Sequence, residues 1–155
     1  MAITFRFHYP ISRTMAFERE HHPNLRLTLA DKRALLKGAI AIWMFEDGKL
    51  VGETYGVGWE ATKDFTDFPR DPAGIYCFSN TILRKYQGKG YGAILKAAFI
   101  GRVSRDFQRI WGHARPGASQ ELNKKFGARM LKTEKNWFKT GEDYRLYVLD
   151  LEKKK

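Results

Sequence analysis

The segment Gln87-Gly88-Lys89-Gly90-Tyr91-Gly92 constrains this chain more than any other. It stands between a strand-like run, Ile75 to Leu83, and a helix-like run, Ala93 to Val103. Three glycines in six residues let the backbone turn sharply and bring several N–H groups together. The helix that follows sets its positive dipole end beside those donors. That combination binds phosphate. Glycine-rich turns alone are common, and it is the order strand, short loop, helix that makes the signal specific.

Two well-known phosphate loops are excluded. A P-loop ends in Gly-Lys-Ser/Thr, where the hydroxyl holds magnesium, but here Gly90 follows Gly88-Lys89. A dinucleotide fingerprint needs an acidic residue at the end of a second strand, and Asp106 precedes the strand-like Arg109–Ala114 rather than ending it. Gln87, Gly90 and Gly92 instead fill the pattern Arg/Gln-x-x-Gly-x-Gly/Ala. In this the segment resembles the acyl-CoA pyrophosphate loop of the GNAT N-acetyltransferases. The approach Ile82-Leu83-Arg84-Lys85-Tyr86, an apolar strand end and then an aromatic residue, resembles that family too.

Short apolar runs and turn signals alternate along the rest of the chain. Ile3 to His8 predicts an edge strand closed by Pro10. Ser12 predicts a cap for a helix from Arg13 to about His22, and a second helix is expected from Asp31 to Lys37, ended by Gly38. Ile40 to Phe45 and Leu50 to about Trp59 read as strands joined at Asp47-Gly48, a strong hairpin signal. Glu60 to Gly74 reads as a loop whose Phe65, Phe68 and Pro69 either cover an acceptor site or tuck onto the core edge. Leu95, Phe99 and Val103 recur at helical spacing, with Ile94 and Ala98 beside them. Ala118 to Phe126 predicts a helix stopped by Gly127, and Arg129 to Phe138 with Tyr144 to Leu151 a last antiparallel pair. The fold class predicted is α/β, a mixed, mostly antiparallel twisted sheet flanked by helices, with a central strand–Gly-loop–helix–strand unit. Residues 1–151 are expected to form one GNAT-like domain and 152–155 a basic tail.

The order of elements matches the GNAT order over nearly the whole chain, and the resemblance implies a set of site residues. The cofactor's pantetheine arm is expected to pair with main-chain groups of Ile82, Leu83 and Arg84. Gln87, Gly88, Lys89, Gly90, Tyr91 and Gly92 are expected around the diphosphate. A short helix after the next strand is the family's second element, here Ser119 to Ala128. Many members carry a tyrosine four residues before its glycine, as the acid for the departing thiolate. This chain has Asn123 there, which donates a hydrogen bond but supplies no proton at neutral pH. Ser119 matches a serine in the branch resembling ribosomal-protein N-terminal acetyltransferases, and Lys124 and Lys125 either reach cofactor phosphates or belong to a solvated helix face.

The amine acceptor must lose a proton before attack. Ile75–Leu83 carries no carboxylate for that work. His113, near the end of Arg109–Ala114, has an ordinary pKa close to working pH, and Glu53 on the hairpin is the other candidate. A water relay needs neither. Cys77 alternates into a sheet and reads as a buried structural thiol. His8 and His21-His22 make no metal-ligand pattern and read as a solvated loop, so no metal is expected.

Composition bounds the partners. A 155-residue chain with 43% hydrophobic and 14% aromatic residues has enough apolar surface for one core, which excludes disorder. Ala39 to Phe45, the longest apolar run, is too short to span a bilayer. No secretory leader pattern opens the sequence, and the single cysteine excludes an internal disulfide, so a cytoplasmic protein is expected. The net charge of +11 favours an acidic protein, RNA or CoA phosphates as partners, or is simply a solvated surface. The resemblance implies an acyl-CoA-dependent N-acyltransferase that moves acetyl from acetyl-CoA to a primary amine by direct attack. The alternative is a catalytically degenerate CoA-binding or protein/RNA-interaction module on the same fold.

Overall fold

The computed structural model describes residues 2–21, 27–58, 62 and 70–151. The expectations on His22, Trp59, Phe65, Phe68, Pro69, most of the 60–74 loop and the 152–155 tail lie outside those residues. The strands are β1 (Ile3–Arg6), β2 (Ile40–Glu46), β3 (Lys49–Gly58), β4 (Gly74–Ile82), β5 (Arg109–Ala114), β6 (Arg129–Glu134) and β7 (Tyr144–Asp150). They form one sheet in the order β1-β2-β3-β4-β5-β7-β6. The β4–β5 pair is parallel, and β1–β2, β2–β3, β5–β7 and β6–β7 are antiparallel. The α-helices are α1 (Ala16–His21), α2 (Leu29–Leu36), α3 (Tyr91–Val103) and α4 (Ala118–Lys125). This is the mixed, mostly antiparallel sheet that the sequence predicts. The chain divides into two compact units, Met1–Gly56 with Ser79–Phe99, and Val57–Phe78 with Ile100–Lys155.

In the first unit β2 and β3 form a hairpin at Asp47 (φ 49°) and Gly48 (φ 81°). Two consecutive positive φ values suit the twist of antiparallel strands. Ile42, Met44, Val51, Leu95 and Phe99 are fully buried. Ile94, expected beside them, is 41% exposed. A Cβ on Gly52 would lie 2.8 Å from Ile82 Cδ1, so glycine in β3 is what admits that side chain. Two helix starts differ from expectation. Ser12 lies inside a 3-10 turn, Ile11–Arg13, closed by Thr14 Oγ1 donating to Ile11 O, and α1 begins only at Ala16. α2 begins at Leu29 rather than Asp31, and Thr28 caps it: the Thr28 and Asp31 side chains each bond the other's backbone N–H, a capping box.

These helices are tied to the hairpin by a buried charge network. Lys32 on α2 is fully buried, and its Nζ stands 2.7 Å from Glu18 Oε2 on α1 and 2.8 Å from Glu53 Oε1 on β3. Trp43 Nε1 donates to Glu53 Oε1 at 2.9 Å. One ammonium thus serves two carboxylates. Burial pushes the Glu53 carboxyl up to about 7, against the attraction of Lys32 and with repulsion from Glu18.

In the second unit β4 and β5 pair from Gly74↔Arg109 to Cys77↔Gly112. Tyr76, Trp111, Leu146 and Val148 form a buried cluster with Phe78 against it. Asp71 accepts from Arg109 Nε at 2.7 Å and Trp111 Nε1 at 2.8 Å, and the arginine bond holds its carboxyl down at about 2. Cys77 is buried and forms no disulfide among the described residues. The strand expected to reach Phe138 stops at Glu134, because Asn136, Phe138 and Lys139 adopt φ of 47°, 45° and 60° and cannot continue an extended chain.

Candidate functional site

The Gly-rich loop lies wholly in the first unit. Leu83 N donates to Val51 O at 2.9 Å, which keeps the end of β4 on β3. A 3-10 turn, Arg84–Tyr86, follows, then Gln87, Gly88 (φ 82°) and Gly90 (φ 80°). α3 starts at Tyr91, two residues before the predicted Ala93. A Cβ at Gly88 or Gly90 would meet nothing within 4 Å, so the left-handed backbone, not crowding, demands glycine there. The first N–H groups of α3 have no carbonyl within the helix to bond, and they open onto that uncrowded loop. Tyr91 Oη donates to Glu46 and is buried, which fixes the start of α3 on β2. Lys89 Nζ lies over the Tyr86 ring at 5.5 Å and is half-exposed beside the loop.

Several main-chain groups expected for the pantetheine arm have partners within the chain. Leu83 N is given to β3, and Arg84 N donates to Glu20 Oε2 at 2.9 Å. Neither N–H is available to a ligand. Successive residues of a strand turn their N–H and C=O groups to opposite sides. With Leu83 facing β3, the groups of Asn80 and Ile82 face away from it. Ile82 O already accepts from His21 Nε2 at 2.9 Å and Gln87 Nε2 at 3.0 Å. His21 is therefore no solvated loop residue: it ends α1 and holds the β4 edge. Asn80 Nδ2 donates to Gly92 O, in the first turn of α3, at 3.3 Å. Its Oδ1 is shielded from solvent with no hydrogen-bond partner among the described residues.

The second unit carries the other candidates. On α4, Asn123 Nδ2 donates to Ser119 O at 2.8 Å, and Asn123 Oδ1 is buried without a partner among the described residues. Ser119 is half-buried and Lys125 exposed. Lys124 pairs with Glu121 at 3.3 Å. On β5, His113 Nδ1 lies 2.6 Å from the Tyr76 hydroxyl. Trp137, on the turn after β6, stacks on the imidazole with ring centroids 3.8 Å apart. His113 Nε2 is shielded and has no partner among the described residues. Burial, with a smaller contribution from Lys132, pushes the imidazole down to about 4. It is neutral at neutral pH and holds a proton more weakly than an ordinary histidine, so the value close to working pH expected from the sequence is not kept. Burial raises the Tyr76 phenol well above its usual value, so the hydroxyl keeps its proton.

Glu53 sits elsewhere, fully buried in the first unit and bonded to Lys32 and Trp43. Sequence alone singles out neither Tyr76, Trp137 nor Asn80, and it places His21 in a solvated loop. Alternation along β4 pairs Tyr76 with Phe78 on one face, a pattern that says only core, and no local signal marks the other three. Among the described residues no group of three or more His, Cys, Asp or Glu side chains is placed to hold a metal. Arg102, Arg109 and Arg115 each pair with a carboxylate, Asp106, Asp71 and Glu142.

No protein-family model matches the sequence, and no curated protein sequence matches it. Solved structures do match. Ard1 from Thermoplasma volcanium superposes with a TM-score of 0.80 at 13% identity, over 98% of this chain and 99% of that one. The ribosomal-protein-S18-alanine N-acetyltransferase from Escherichia coli superposes at 0.75 with 13% identity, covering 99% and 97%. The chain has the GNAT fold. A GNAT family acetyltransferase from Elizabethkingia anophelis, with acetyl-CoA bound, superposes at 0.72 with 18% identity over 96% and 98%. Within the GNAT fold the Gly88–Gly92 loop occupies the strand-to-helix passage from which the sequence resemblance began.

Proposed function

We propose that the chain is an acetyl-CoA-dependent N-acetyltransferase that moves an acetyl group onto a primary amine by direct attack. The observation that carries this reading is the pair of left-handed glycines, Gly88 and Gly90, heading α3 in a chain with the GNAT fold. Acetyl-CoA in one structural neighbour supports it. The residues present fit the cofactor. The loop and the first turn of α3 would hold the diphosphate. When bound, acetyl-CoA supplies a thioester carbon open to a nitrogen lone pair and a thiolate that leaves.

His113 is the base in this reading, and Glu53 is not, because its carboxylate is committed to Lys32 and Trp43. With its hydrogen on Nδ1, directed to the Tyr76 oxygen, the imidazole keeps the Nε2 lone pair to take the amine proton. The proton leaves the amine as the N–C bond forms and the C–S bond breaks. Asn123 offers no acid, so the thiolate departs as the anion or takes a proton from water. The net charge of +11 favours an amine carried on an acidic macromolecule, protein or RNA, over a small cation. A buried thiol suits the reducing cytoplasm.

The test is thiol release from acetyl-CoA over a panel of amines, including peptide α-amines. One thiol per acetylated amine is expected. CoA binding with no release above hydrolysis would leave the second reading, a cofactor-binding module without turnover, which the missing acid at Asn123 favours. Salt-sensitive RNA binding would assign the acceptor to RNA.

A further inference from the structure

We propose that Asn80 is a cofactor-binding residue, its Oδ1 accepting a hydrogen bond from the pantetheine arm of CoA. The inference rests on the cofactor reading above and assigns a contact that the family's main-chain pattern does not contain. β4 is a central strand, yet it carries Ser79-Asn80-Thr81 in sequence. Ser79 and Thr81 share one face and bond each other, Oγ to Oγ1, at 2.7 Å. Asn80 turns to the opposite face. There its Nδ2 reaches Gly92 O, which fixes which end of the amide is oxygen.

The oxygen is then shielded from solvent without a donor among the described residues. Leaving such an acceptor unpaired is unfavourable, and alanine would avoid the cost at this position. A donor supplied by a ligand removes the penalty. Two facts indicate which ligand. Asn80 is bonded to the first turn of α3, next to Gly90, so the missing donor belongs near the diphosphate cradle. Asn80 and Ile82 also share the strand side that faces away from β3. Along CoA, the first donors beyond the diphosphate are a hydroxyl and two amide N–H groups, all on the pantetheine arm. The nucleotide half has its own donors, the ribose 2′-hydroxyl and the adenine amine, on the other side of the diphosphate, and the test below separates the two halves. Asn123 shows the same signature within its own unit: Nδ2 tied to a helix carbonyl and Oδ1 shielded.

The test compares two ligands by calorimetry, CoA and adenosine 3′-phosphate 5′-diphosphate, which has the diphosphate but lacks the arm. Asn80→Ala should weaken CoA about tenfold and leave the nucleotide within about twofold. Retained nucleotide binding also shows that the loop is folded. Equal losses for both ligands would overturn the proposal and make Asn80 a support for α3. Unchanged CoA affinity would overturn it too, as would a variant that binds neither ligand. If the unmodified protein binds no CoA, the cofactor reading itself falls and takes this inference with it.

Discussion

Gly88 and Gly90 turn the chain at φ of 82° and 80°, and a Cβ on either would meet nothing within 4 Å. Gly112, in β5, has no left-handed backbone, but a Cβ there would sit 2.5 Å from Tyr147 Oη. The first region is built by backbone conformation and kept open. The second is built by packing and filled. The same contrast separates the two proposed tasks. Phosphate binding uses main-chain N–H groups and tolerates changes in neighbouring side chains. Proton removal uses one imidazole held by Tyr76 and Trp137, where every neighbour counts.

The largest expected effect breaks the two tasks apart. His113→Gln should lower turnover at saturating acetyl-CoA by about 10²–10⁴-fold at neutral pH and leave CoA affinity unchanged. Steady-state kinetics with calorimetry checks it, and a shared loss of affinity would tie the regions together. Raising the pH should restore part of the rate by supplying free amine.

Next comes the buried network, which is packing-built although it lies in the same unit as the open loop. Lys32→Met leaves Glu18 and Glu53 facing each other without a cation and should cost about 3–5 kcal/mol in denaturant unfolding. Glu53→Gln tests the same network through pH. The folded carboxyl is raised from 4.5 to about 7. Its contribution is therefore complete below pH 4.5 and is lost as pH rises through 7. The unmodified protein should lose about 3 kcal/mol more than Glu53→Gln between those limits.

The smallest effects compare the glycines directly. Gly112→Ala should destabilise by about 1–3 kcal/mol through overpacking against Tyr147, and trimming that ring with Tyr147→Leu should relieve part of it. Gly88→Ala should cost about 1 kcal/mol from its left-handed backbone alone, with no partner able to rescue it. Equal rescue at both positions would erase the distinction.

This contrast also explains what could be read before folding. Gln87 to Gly92 is legible because left-handed turns favour glycine and the flanking runs name their own structure. The Asp47-Gly48 hairpin and the Leu95, Phe99, Val103 stripe follow from local conformation and spacing in the same way. His113 was legible as a titratable residue at a strand end. Its partners were not, since Tyr76 lies 37 residues away and their contact depends on β4–β5 register. No local signal marks Lys32 on α2 as buried. Only the fold brings Glu18 and Glu53 to it. The positive φ values at Asn136, Phe138 and Lys139 ended β6 early, and nothing in those residue types announces such a turn.

Calorimetric titration of CoA into the unmodified protein and into Gly90→Asp tests the central claim most directly. The variant places a side chain at φ 80° and a negative charge before the proposed diphosphate cradle. The unmodified protein should bind CoA with a one-to-one stoichiometry, and Gly90→Asp should lose at least about a hundredfold in affinity while remaining folded by circular dichroism. CoA binding of equal strength in both proteins would contradict the account.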